Sequence, residues 1–367
     1  MMLVGLLAFM VSCSKDKDMP SPKGSTSPVK TTRAAFRSDI TNWSQCTESV
    51  DLACGSFLTF RDENHFFDVY DCLERAYNHW NDSIDNAYSS YTDDDYNDLW
   101  EANGWDEDQQ LVNFENFYAH QSKRKALFDM EELWLTDPDA HPDPDDYDIF
   151  EDYIMNTLWS SNMNIKIGSN LIHIFPNGRI LIVDNADCQL FFSFIADSNQ
   201  IHPNARLWGP VHTNPDVDAI PDCWEGGVQR NYRTSANPAK HSYFSFDSKP
   251  YANRFKISAR EYNLIAFRWY ALNAEVKVYR GRNNGWGYKK YKTTINELGV
   301  DGELHNDSCM LLGTSGITAD RVRRHKHKAT VRTTNLTSSL FIKDNGVVGD
   351  FKLPGLANYT ETLRITR

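Results

Sequence analysis

The 367-residue sequence predicts an α+β fold, with an acidic, mainly helical N-terminal part followed by a mostly antiparallel, β-rich C-terminal part. Three observations carry this prediction. Apolar residues recur at three-and-four spacing from Asp62 to about Leu158, the spacing falls to two after Ser160, and charge divides at the same place. Residues 34–160 hold 30 Asp and Glu against 6 Lys and Arg, a net of −24, while residues 161–367 hold 18 against 27, a net of +9. The acidic helical subdomain is therefore placed at 34–160 and the basic β-rich subdomain at 161–367, and the two are expected to attract each other.

The first helix is read from Phe66, Val69, Tyr70, Leu73, Ala76, Tyr77, Trp80 and Ile84, which fall on one face, with Asp62 placed to cap the first turn. A second begins at Thr92. Asp93, Asp94 and Asp95 follow it and suit the positive end of the helix dipole, and Gly104 is the expected stop. A third helical stretch runs from about Gln109 to Leu135. Pro138, Pro142 and Pro144 then break the pattern, and a helix is expected to restart near Asp145 with Ile149, Phe150, Tyr153, Ile154 and Leu158 on one face.

Beyond Ser160 the segments 164–166 and 171–175 read as strands, and Pro176-Asn177-Gly178 joins the second to the strand RILIV through an Asn-Gly turn. A second hairpin is expected from AEVKVYRG, RNNG and WGYKKYK, and a third from SLFIK, DNG and VVGDF. Hairpins of this kind mean a mainly antiparallel sheet system.

The N-terminus bears on location. Residues Leu3 to Val11 form an apolar run about half as long as a bilayer-spanning helix, which fits a secretory signal at 1–12. Met10-Val11-Ser12-Cys13 resembles the lipobox of bacterial lipoproteins, and this resemblance implies that Cys13 is acylated and becomes the mature N-terminus. Each buried methylene of such an anchor contributes about 0.8 kcal/mol, so lipid alone would hold the chain at a membrane. Residues 13–33 are polar and rich in Ser and Pro, as expected of a tether.

The lipobox, the tether, the stretch GSFLTFRDENHFFDVYDCLE, the Asp-Pro segment before a helix and then NIKIGSNLIHIFPNGRI together resemble a Bacteroides-like group of uncharacterised exported lipoproteins from Gram-negative gut-type bacteria. The resemblance implies an outer-membrane lipoprotein of the cell envelope, surface-facing or periplasmic. It implies no activity and no functional residues.

Setting Cys13 aside leaves Cys46, Cys54, Cys72, Cys188, Cys223 and Cys309 as disulfide candidates, and six cysteines allow fifteen connectivities. For Cys54 the expected partner is nearby Cys46 or Cys72. The stretch Ala53-Cys54-Gly55-Ser56-Phe57 faintly resembles a papain-type nucleophile segment, but Phe57 to Phe60 reads as a strand, so Cys54 lacks the helix dipole that such a thiolate requires. No CxxC pair, phosphate loop, HExxH or GxSxG occurs.

Three further clusters have both a functional and an ordinary structural reading. Asp137, Asp139, Asp143 and Asp145 offer hard oxygen ligands for Ca²⁺, but without EF-hand spacing; a solvated loop leading into a helix is the simpler reading, and no other cofactor is expected. Trp224, Trp286 and Tyr288 lie in glycine-rich or turn-rich contexts where an aromatic ring could stack on a sugar, although single aromatics are usually core. The run Arg321 to Lys328 carries five cations and two histidines; it is expected to dock on the acidic part or to lie along a solvated edge, and the strongly acidic part argues against nucleic acid as a partner. The functional expectation is an envelope protein, anchored to the membrane through Cys13, that binds a glycan, peptide or protein or serves a structural role. The alternative is an extracellular hydrolase with its site between the helical and β-rich parts.

Overall fold

A computed structural model describes residues 40–365 apart from 151, 177–178, 186, 198–202, 209–238, 247, 265–266, 283–286, 307–310, 319–320, 336–339, 343–346 and 354–358. The helices are α1 (Glu63–Ala87), α2 (Asp93–Asn103), α3 (Gln109–Phe117), α4 (Lys123–Thr136), α5 (Tyr153–Leu158) and α6 (Cys188–Ala196). The first ten strands are β1 (Asp51–Ala53), β2 (Phe57–Phe60), β3 (Asn164–Ile167), β4 (Asn170–Ile174), β5 (Ile180–Asp184), β6 (Ala205–Trp208), β7 (Ala239–Phe246), β8 (Lys249–Leu264), β9 (Phe267–Gly281) and β10 (Tyr288–Lys290). They are followed by β11 (Thr293–Ile295), β12 (Glu297–Asn306), β13 (Leu311–Thr318), β14 (Val322–Arg324), β15 (Lys326–Asn335), β16 (Leu340–Ile342), β17 (Val347–Leu353) and β18 (Tyr359–Ile365). Five of the helices precede residue 160 and most strands follow it, so the fold is α+β.

Strands β1 to β6 form one sheet in chain order, antiparallel except where β2 runs parallel to β3. That pair joins chain from both sides of residue 160. Helix α6 lies on this sheet, with Phe191 and Phe194 packed against Phe57, Leu171, Leu181 and Val183. A second sheet runs β7-β8-β9-β10, with β15 also against β9, and a third runs β13-β12-β17-β18, with β16 also against β12. The second and third sheets share an apolar core in which Phe255, Val276 and Val278 meet Leu298, Val300 and Phe351. Burying each such side chain contributes about 1.5–3 kcal/mol.

The first two helices form as their sequence patterns predict. Asp62 accepts from the His65 N–H at 2.8 Å, and Thr92 accepts from the Asp95 N–H at 3.2 Å. Gly104 ends α2 in the left-handed region at φ 61°. Four expectations need correction. The stretch from Gln109 to Leu135 is two helices, because Ala119 turns left-handed at φ 49° and Ser122 caps a new helix by accepting from the Lys125 N–H at 2.9 Å. The Lys123 N–H also donates to the Trp159 carbonyl at 2.8 Å, so a tertiary partner replaces continued helix.

The helix expected near Asp145 is only a 3-10 turn, Pro144–Tyr147, and α5 starts later, where Asp152 accepts from the N–H groups of Ile154 and Met155. The SLFIK and VVGDF segments do not pair as a hairpin. Both add to the same edge of β12, β16 opposite residues 304–306 and β17 opposite residues 297–301.

The fourth correction concerns cysteine pairing. Cys54 bonds to Cys188, 134 residues away, while Cys46 bonds to Cys72, 26 residues away. The first bond ties the turn after β1 to the start of α6, and it removes Cys54 from any role as a nucleophile. The loop closed by each bond sets how far it restricts the unfolded chain. Replacing both members of the pair by Ser is therefore expected to cost about 5 kcal/mol for Cys54 and Cys188 and about 3.5 kcal/mol for Cys46 and Cys72. Urea unfolding of the two double variants checks the order, and a larger loss for the shorter loop contradicts it.

Where the β9 to β10 connection reaches α4, Gly287 has φ 68°, and a Cβ there would lie 2.6 Å from the Thr136 carbonyl oxygen and also strike that of Leu135. Both obstacles are backbone. Gly287→Ala is expected to cost about 2 kcal/mol, read as a lower thermal midpoint, and an unchanged midpoint would show that the two segments separate freely.

Candidate functional site

The alternation along β9 sends Ala274, Val276 and Val278 into the core between the two sheets. Glu275, Lys277 and Tyr279 consequently project from the opposite face, joined there by Arg254 of β8 and by Lys326 and Lys328 of β15. Taken alone, that face has the composition of a solvated sheet surface. Here the acidic helices cover it, and their carboxylates meet its cations.

At one end, the Lys328 ammonium lies 2.5 Å from an Asp152 oxygen and 3.1 Å from the Tyr70 hydroxyl, which itself donates to Asp152 at 2.5 Å. Asp152 is 2% exposed and also caps α5, so one carboxylate serves the helix and the docking. Next, Lys326 approaches Asp108 at 2.8 Å, and Asp108 accepts from Arg124 at 3.0 Å. Arg124 also clasps Glu115 through two nitrogens. Further along, Lys277 donates to Asp145 at 2.8 Å, Arg254 pairs with Asp145, and Glu131 accepts from the Tyr279 hydroxyl at 2.9 Å while Lys290 lies 2.9 Å away.

The run from Arg323 to Lys328 threads this layer. Arg323 lies 3.2 Å from Asp93 and donates to the carbonyls of Tyr88 and Ser89, while Arg324 donates to Asp82 at 2.5 Å and to Asn78 at 2.9 Å. Aromatic rings line the same cations, with Arg323 4.7 Å from the Tyr96 ring centre and Lys328 4.8 Å from that of Tyr153. The expected docking of this run on the acidic part is what the geometry shows. These pairs are largely desolvated, so salt screens them far less than it screens surface pairs.

Burial pushes Asp108 up, but Lys326 and Arg124 outweigh it and hold the carboxyl well below the ordinary range. Glu131 behaves alike under Lys290 and Lys277. Glu275 moves the other way, raised by burial against the pull of Lys277. These three groups border a cavity of about 50 Å³ that is also lined by Asp145, Asp148, Tyr153 and Asn156. Carboxyls whose environments push their proton affinities apart are the kind of pairing that acid and base catalysis uses. The ionised members, however, already bind cations of the chain itself. The cavity is also small beside the roughly 300–1,000 Å³ of ligand pockets.

The residues singled out from sequence fall as follows. Asp145 is buried in the ion-pair layer with Arg254 and Lys277, and Asp143 caps the 3-10 turn by accepting from the Asp145 N–H at 2.9 Å. Asp137 ends α4 and accepts from the Asp139 N–H at 3.2 Å, an exposed loop away from the cavity lining. Among the described residues, no group of three or more His, Cys, Asp or Glu is arranged to hold a metal ion. Tyr288 is half-buried beside Trp134, Leu135 and Tyr279, and its ring centre is 6.1 Å from that of exposed Tyr243. Cys13, Trp224, Trp286, Cys223 and Cys309 lie outside the described residues. Sequence reasoning did not single out Asp108, Arg124, Glu131, Asp152, Glu275 or Lys277. The available signal was the cation-bearing alternation of AEVKVYRG opposite an acidic helical part. No protein-family model matches the chain, and no curated protein matches it in sequence.

Proposed function

We propose that the chain is an exported, lipid-anchored envelope protein, of the Bacteroides-like lipoprotein kind, whose folded body has a binding or structural role toward a glycan, peptide or protein. The observation that carries this reading is the pair of disulfides, Cys46 to Cys72 and Cys54 to Cys188, because such bonds persist in oxidising compartments outside the cytoplasm. It agrees with the lipobox-like Met10-Val11-Ser12-Cys13. The body also suits a rigid support, since buried charge pairs tie its helices to the sheet. Metabolic labelling with a palmitate analogue, comparing the native chain with Cys13→Ala, tests the anchor, and protease shaving of whole cells then reports which side the body occupies. Label on the native chain and none on Cys13→Ala is the expected result. Label on neither, with the protein recovered from the cytosol, overturns the reading.

One observation favours a hydrolase as the second reading: Glu275, Asp108 and Glu131, with opposed ionisation tendencies, share one cavity between the helices and the sheet. Under that reading Glu275→Gln abolishes activity on the substrate while leaving the unfolding midpoint nearly unchanged. Under the structural reading it changes neither.

A further inference from the structure

The inner face of the helical layer repeats one arrangement, an aromatic ring with a carboxylate beside it, and each time a lysine or arginine of the chain fills it. Arg323 lies over Tyr96 with Asp93 beside it, Arg324 over Tyr77 with Asp82, and Lys328 over Tyr70 with Asp152. Helix α2 itself takes cations along that face. Asp94 binds Lys249 at 2.7 Å and Arg280 at 2.6 Å, Glu101 binds Lys289, and Lys292 sits 4.2 Å from the Trp100 ring centre.

The outer face of α2 carries the same parts without the occupant. Ser90, Tyr91, Asp95, Asp98, Leu99 and Ala102 line an open groove of about 590 Å³. Tyr91 is 41% exposed, and its ring packs edge-on at 5.3 Å from Tyr88, which fixes its orientation. Asp95 and Asp98 are exposed. Among the described residues no lysine or arginine lies on Tyr91 or pairs with Asp95 or Asp98. Leu99 and Ala102 supply an apolar floor suited to the methylene stem of a long cationic side chain.

We infer that this groove is a docking site for a basic peptide segment of a partner protein, whose lysine or arginine side chains lie on Tyr91 against Asp95 and Asp98 as the chain's own cations do on the inner face. The chemistry is cation–π contact with charge-assisted hydrogen bonding. The inference names the partner class for the binding role proposed above and rests on that reading. Binding in detergent does not depend on acylation, so loss of label at Cys13 and loss of peptide binding are separate results.

The test uses the full chain in detergent at low salt and measures fluorescence anisotropy of dye-labelled hexa-arginine, with hexaglutamate as the control peptide. Hexa-arginine is expected to bind and hexaglutamate not. Tyr91→Ala combined with Asp98→Asn should weaken hexa-arginine binding about tenfold, whereas Glu48→Gln, which removes one exposed carboxylate elsewhere, should change it by less than about twofold. Asp98→Asn alone, at an exposed position, gives the same comparison in a chain whose fold is not in question. Absence of hexa-arginine binding, or equal weakening by Glu48→Gln, overturns the inference, the latter by showing diffuse attraction to an acidic surface.

Discussion

Arg124→Met is expected to lower the unfolding free energy by about 3–5 kcal/mol, because it strands buried Glu115 without a counter-charge and leaves buried Asp108 with Lys326 alone. Arg124 bridges Asp108 and Glu115, and the three side chains are between 4% and 7% exposed. Methionine fills much of the volume but satisfies none of the oxygens. Adding Glu115→Gln should restore part of the loss by removing the orphaned charge, which separates an electrostatic cause from a packing one. Urea denaturation of both variants decides. A loss under about 1 kcal/mol for Arg124→Met would mean that water reaches the carboxylates and that the layer is not sealed.

Acid is the second large lever. His120 and His173 are buried, which lowers each to about 4, and burial together with Arg324 and Lys328 lowers His327 to about 3. In the unfolded chain each returns to about 6.5. Below that pH the unfolded state takes up protons that the folded state refuses, so stability falls as pH drops from about 6.5 towards the folded values. Between pH 7 and pH 5 the three histidines together should remove about 6 kcal/mol.

Below about pH 5 a second loss begins, as the unfolded chain's Asp108 and Glu131 take up protons that the fold refuses, because Lys326, Arg124 and Lys290 hold both carboxyls low there. Glu275, Asp85 and Glu63 are raised by burial and act in the opposite sense, gaining stability as pH falls, but they stand against the whole set. Chemical denaturation at pH 7, 6 and 5 gives the slope. A flat profile over that range would show that the histidines are hydrated in the fold.

The parts of this fold legible in the sequence are those with local causes. Asp62, Thr92 and Gly104 mark helix ends because caps act within three or four residues, and the apolar spacing of α1 names its buried face directly. The charge division anticipated the docking, and the cations of Arg323 to Lys328 are where it occurs. What stayed hidden has distant causes. The break at Ala119 depends on Ser122 meeting Glu115 and on Lys123 meeting Trp159, contacts that no spacing shows. Cys54 chose a partner 134 residues away over two near ones.

The residues that make the ion-pair layer are not legible in the sequence, for a physical reason. Alternation of Val with Lys in β9 normally signals one wet face, and only the sheet's burial under α1 to α5 turns that face into interior. For Asp145 a solvated loop is the simpler reading from sequence and Ca²⁺ the other; the side chain is instead buried against Arg254 and Lys277 of the same chain.

Buried charge pairs couple the helices to the sheet. A double-mutant cycle on Lys328→Met and Asp152→Asn measures this most directly, since asparagine keeps the cap of α5 while losing the charge. A coupling of about 2–3 kcal/mol between the two positions is expected. Additive effects, with coupling below about 0.5 kcal/mol, would contradict it.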